Sequence, residues 1–133
     1  MKFNTSVSLL LRVVASIILL QTLYFKFTEH PESVLLFSKL GVEPWGRIAT
    51  GIIEFITAIL LIIPYTAFVG ALSGVVLMLG AIFSHLMVVG IQSNGDGGEL
   101  FMLAMVVLMC CLVTLWLQKE EGMIRFRKIF RHK

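Results

Sequence analysis

The sequence predicts an all-α, polytopic membrane four-helix bundle, and three observations carry that prediction. Of its 133 residues 58% are hydrophobic and 14% charged, where soluble domains carry roughly 25% charged residues. The mean hydropathy is +0.95. The apolar residues gather in four runs, about 7–27, 45–63, 66–89 and 98–118, each close to the ~20 residues that a helix needs to cross a bilayer. Between the runs stand charges and turn-forming residues. The chain has room for a single transmembrane domain, residues 1–133, with no separate soluble domain.

The first run follows Asn4-Thr5-Ser6, which are suited to cap a helix N-terminus. It contains Arg12 and lacks a small-residue cleavage site, so it reads as a retained span rather than a signal peptide. Arg12 and Lys26 lie fourteen residues apart, which returns them to nearly one helix face at ~100° per residue. After it, Pro31 favours a helix start and Gly41 a stop. Val34, Leu35, Phe37 and Leu40 alternate with polar residues, predicting a short interfacial helix lying apolar side down on the membrane. An ordinary polar connection is the plainer reading.

The second run carries Trp45 and Tyr65 at its ends, where aromatic residues mark membrane interfaces. Arg47, Thr50, Gly51, Glu54 and Thr57 fall on one stripe, which should face other helices because lipid would not solvate it. Pro64-Tyr65-Thr66 predicts a tight turn. In the third run Gly70 and Gly74 form a G-x-x-x-G pattern that lets helix backbones approach closely, and His85 closes the run. The segment Gln92 to Glu99 is a loop, and the fourth helix runs from about Gly98 to Gln118. Lys119-Glu120-Glu121-Gly122 then leaves the membrane.

The basic tail, 119–133, carries Arg125, Arg127, Lys128 and Arg131 opposite Met123, Phe126 and Phe130, a pattern suited to an anionic lipid surface. With 11 Lys plus Arg against 8 Asp plus Glu the net charge is +3. Much of that excess lies in the tail, so it describes no nucleic-acid face. Basic residues favour the cytoplasmic side, which predicts both termini inside and the Pro31 and Asp96 segments outside.

Glu54 falls near the middle of a span, where an ionised group is costly and turns inward. Arg12 lies ~9 Å and Glu54 ~15 Å from the same surface at ~1.5 Å per residue, so an Arg12–Glu54 pair is within reach. Lys26, His85, Asp96 and Glu99 fall towards the opposite surface. Together with Arg12 and Glu54 they predict an outward-open pocket for a polar headgroup or a quinone ring, with His85 or Glu54 exchanging protons. Plainer readings stand beside this one. Arg12–Glu54 is then a buried ion pair fixing register, Asp96 and Glu99 a capping box, Lys26 a snorkelling lysine and His85 a satisfied core histidine. No metal is expected, because ligand-spaced His or Cys residues are missing. Cys110-Cys111 reads as packing, and no catalytic residue set or phosphate loop emerges.

Arg12, Lys26, the Gly51-Ile52-Ile53-Glu54 segment, the Gly80-Ala81-Ile82-Phe83-Ser84-His85 segment and the Asp96-Gly97-Gly98-Glu99 loop together resemble the DoxX-like family of small bacterial membrane proteins. The resemblance spans about residues 7 to 118. It implies a four-helix bundle in the bacterial cytoplasmic (inner) membrane. Some members are linked to membrane redox assemblies, including thiosulfate:quinone oxidoreductase and an oxidative-stress complex with superoxide dismutase. A distant animal relative is a receptor-assembly chaperone. No catalytic residues carry over.

Three functions follow as expectations. The first is an accessory subunit of a quinone-linked redox system, holding a quinone or lipid-like ligand in its polar interior. The second is an assembly factor that binds a protein partner through the Gly70–Gly74 face, and a homo-oligomer is the other partner the sequence allows. The third is an enzyme on a lipophilic substrate.

Overall fold

The computed structural model describes residues 2–28, 30–90 and 98–131. Its helices, in order, are α1 (Lys2–Phe27), α2 (Pro31–Lys39), α3 (Trp45–Ile62), α4 (Ala67–Ser84, continued by a wider π turn over His85–Val89) and α5 (Glu99–Arg131). All but α2 are long and apolar enough to cross a membrane. These four close a ring in which α1 packs on α3, α3 on α4, α4 on α5, and α5 back on α1. The all-α, four-span architecture with one short extra helix is therefore what the chain adopts.

The ring keeps its buried polar side chains inside, among an apolar core, and turns large apolar ones outward. On α3, Gly46, Arg47, Gly51, Glu54, Thr57, Ala58 and Leu61 are buried, while Ile52, Ile53, Phe55, Ile56 and Ile59 are exposed. Water would reverse that arrangement, whereas hydrocarbon solvates isoleucine and rejects a carboxylate. The polar stripe expected on this helix is the one that packs inward.

Small residues set the helix spacing. A Cβ on Gly70 would lie 2.7 Å from the Leu61 backbone nitrogen, and one on Gly74 would meet Cys111 Sγ at 2.5 Å. The Gly70–Gly74 face is therefore filled by α3 and α5 of the same chain. A partner protein does not find it free, which corrects the expectation that this face docks one.

Ends are fixed by specific devices. Pro31 opens α2 at a position whose N–H would be unpaired anyway. Gly41, at φ 76°, closes it: Val42 N donates to Phe37 O and Gly41 N to Ser38 O, both at 3.0 Å, the paired bonds of a Schellman stop. Phe37 is buried, and Leu36, Phe37 and Leu40 line the bundle interior. Thus α2 turns Leu36, Phe37 and Leu40 onto the bundle, while Leu35 stays exposed.

Two boundaries differ from expectation. α1 begins at Lys2, so Asn4, Thr5 and Ser6 lie within the helix. A cap is worth only about 1 kcal/mol, and no Gly or Pro stops the extra turn. α5 begins at Glu99, within one residue of the expected start, where Gly98, at φ 87°, accepts from Met102 N at 2.9 Å. Glu99 is therefore the first helical residue, and Asp96, its expected capping partner, lies outside the described residues. α5 also does not break after Gln118. Its 33 residues extend ~50 Å, well beyond the apolar stretch that ends at Lys119.

Candidate ligand cavity

The polar groups divide according to the partner each one finds. α1 and α3 run antiparallel in a register fixed by Ser16 Oγ donating to Ala58 O at 3.1 Å and Arg12 Nη1 donating to Leu61 O at 3.0 Å. Counting four residues from the Ser16–Ala58 pair places Glu54 level with Leu20. Arg12 is then ~12 Å below Glu54 and Lys26 ~9 Å above it. Side chains on a helix lean towards its N-terminus. Lys26 therefore leans down and Glu54 leans up, and they meet, while Arg12 leans away.

The structure accordingly corrects the Arg12–Glu54 pairing. Lys26 Nζ is 2.8 Å from Glu54 Oε2 and 3.1 Å from Oε1, and Thr22 Oγ1 lies 3.2 Å from Oε2. Arg12 has a different task. The last carbonyls of a helix lack intrahelical donors, and here Ile59 O takes Ile63 N, Leu60 O takes the Thr66 hydroxyl, and Leu61 O takes Arg12. A cation at that end also opposes the negative pole of the helix dipole.

Above this saturated floor lies a cavity of ≈ 500 Å³, walled by α1, α2, α3, α4 and α5. That size falls within the ~300–1,000 Å³ of small-molecule sites. Lys26, Glu54, His85 and Glu99 all line it. Arg12 does not reach it, and Asp96 lies outside the described residues. Thr22 and α2 also contribute to the wall, although no motif in the sequence marked them. Thr22 stands four residues before Lys26 on one face, a spacing that could have drawn notice. His30 and Ser33, at the start of α2, add further polar groups to the wall.

His85 is buried at the first position of the π turn. Its Nδ1 lies 3.0 Å from Gly90 O, and its ring stands edge-on to Phe101 with centroids 5.9 Å apart. A carbonyl only accepts, so Nδ1 carries the proton and Nε2 is the ring's remaining polar atom, a lone pair in the neutral form. π turns often occur at functional sites. At the rim, Arg47 is buried and donates to Glu43 at 2.8 Å and to the Lys26 carbonyl, tying the start of α3 to the end of α1.

Among the described residues no group of three His, Cys, Asp or Glu side chains comes together to hold a metal ion. The arrangement can bind a mainly apolar molecule and offer it an ion pair, an imidazole and hydroxyls at one end. Beyond Lys119, Arg127, Lys128 and Arg131 are exposed along α5, whereas the Arg125 side chain lies outside the described residues.

Residues 10–115 match the DoxX-like family. No curated protein and no solved structure matches the chain.

Proposed function

The chain belongs to the DoxX-like family, and from that premise and its own cavity we propose that it holds a quinone or lipid-like ligand within the membrane as an accessory subunit of a redox system. One observation carries the reading. The Lys26–Glu54 pair is set in the wall of an ≈ 500 Å³ space. A pair needed only for register would be better placed in solid packing, as Arg12 and Ser16 are. A ligand head at this wall would meet Lys26, Thr22 and Glu54 on one side and His85 on another, and His85 or Glu54 would exchange its protons. On this reading both termini lie in the cytoplasm, where the exposed Arg127, Lys128 and Arg131 would rest on anionic lipid.

The assembly-factor reading is weaker, because the surface it relies on is occupied: Gly70 and Gly74 serve α3 and α5. Mass spectrometry of gently purified wild-type and Glu54→Gln protein tests the proposal. A quinone or lipid retained by the wild type and lost from a folded variant supports it. A stoichiometric protein partner, with no small molecule in either sample, overturns it and favours the assembly factor.

A further inference from the structure

The shape of the cavity wall bears on how its occupant arrives. At the turn end, α3 and α4 touch closely: Gly70 lies against Leu60 and Leu61, and Thr57 and Ser73 share a 2.8 Å hydrogen bond. Farther along the same stripe of α4 come Val76, Gly80 and Ser84, which line the cavity together with Thr50 and Glu54 of α3. There the cavity takes the place of helix–helix contact. Two of these lining residues are also strongly exposed. Val76 is 66% exposed, Gly80 is exposed, and a Cβ on Gly80 would find nothing within 4 Å. On a membrane-spanning helix, outside means lipid.

We propose that the cavity opens sideways into the bilayer between α3 and α4 at Gly80, and that its occupant is an uncharged amphiphile whose apolar chain leaves through this gap. The proposal rests on the ligand-holding reading above and adds the route and the class of ligand. Charge selects the head. The Lys26 cation is already answered by Glu54, and Glu99 adds a carboxylate to the wall, so an anionic head gains no unpaired cation there. What remains is hydrogen bonding. Two of the three ammonium donors of Lys26 face Glu54, which leaves one for a ligand oxygen, and His85 Nε2 accepts from a hydroxyl. A hydroxyl-bearing head on a single long chain meets both, whether it is a quinol or a glycerolipid.

Glycine at position 80 keeps the gap open, and a larger side chain there would close it without entering the packed core. The test measures equilibrium binding of three probes to wild-type, Gly80→Leu and Gly80→Phe protein in nanodiscs: a decyl-substituted benzoquinol, the same ring without its chain, and monodecanoylglycerol. Thermal unfolding checks that each variant is folded, and Val76→Trp narrows the same gap from a second position. Closing the gap should weaken at least one chain-bearing probe about tenfold or more, since each buried methylene counts, and leave the chainless ring unchanged. The chain-bearing probe that responds identifies the source of the ligand. Unchanged binding of every probe that the wild type holds overturns the portal while leaving the cavity reading intact. Equal loss of ring and chain overturns it too, by placing Gly80 at the head. If the wild type binds none of the probes, the ligand-holding reading itself falls.

Discussion

A double-mutant cycle on Lys26 and Glu54 tests the central feature of the site. The pair is two-pronged, with contacts of 2.8 and 3.1 Å, and its side chains are 13% and 7% exposed. Lys26→Met leaves a buried carboxylate beside a Thr22 hydroxyl that it shares with Leu19 O and should cost about 3 kcal/mol, the lower end for breaking a buried pair because Glu54 lines open volume rather than packed core. Glu54→Gln keeps a carbonyl acceptor for a lysine that can snorkel, so about 2 kcal/mol is expected. The double variant removes both charges and should also cost about 2 kcal/mol, giving a coupling of about 3 kcal/mol. Reversible unfolding in mixed detergent micelles measures all four corners. The same cycle with Arg12→Met in place of Lys26→Met should be additive to within about 0.5 kcal/mol. A coupling below about 0.5 kcal/mol for Lys26–Glu54, or a large one for Arg12–Glu54, would refute the register and the lean of the side chains derived above.

Other consequences can be checked separately. Gly70→Val should destabilise by about 3 kcal/mol or more, beyond ordinary overpacking, because its Cβ would meet Leu61 backbone that cannot rotate away; micellar unfolding reads this, and Gly80→Ala in the open gap serves as the near-neutral control. Cys110 and Cys111 are buried and unbridged, so neither should react with a membrane-permeant maleimide until the bundle is unfolded; rapid labelling of the native protein would contradict the ring packing. Neutralising Arg127, Lys128 and Arg131 together should shift the C-terminal segment of α5 away from vesicles rich in anionic lipid, by about 1 kcal/mol per charge at low salt. Fluorescence of a probe at the C-terminus would report it, and an unchanged response would remove the lipid-surface role.

The fold was legible because the bilayer imposes its own period and length. Four runs near twenty residues predicted four spans, and on α3 a polar residue every third or fourth position named the buried face from Arg47 to Thr57 correctly. The pairing across helices was less legible, for a definable reason. Depth counted from the surface treats a side chain as if it left the helix at right angles. Arg12 and Glu54 looked close by that measure. The lean of each Cα–Cβ bond towards the helix N-terminus separates them and brings Lys26 down to Glu54. The start of α5 was legible to within a residue, because Gly98 stands at the edge of the apolar run and supplies the backbone angle at which the helix begins. The π turn at His85 left no periodic signal, because five residues in a wider coil barely disturb a run that is apolar throughout.

How each buried polar group is satisfied decides which of them belong to a function. Ser16, Thr66 and Arg12 spend their donors on the final carbonyls of α3 and its preceding turn, and Thr114 donates to Cys110 O at 2.7 Å. Thr57 and Ser73 satisfy each other. These groups have little left to offer a ligand, and they sit where helices touch. Lys26, Glu54 and His85 differ in kind, because their partners leave donor or acceptor capacity and they face open volume. An intramembrane charge is by default a functional hypothesis, yet Arg12, which donates to Leu61 O and to Ser8 O, shows that backbone carbonyls can engage one. The deciding property is what remains unsatisfied at the edge of the space, and by that property the Lys26–Glu54 wall is where binding should be sought.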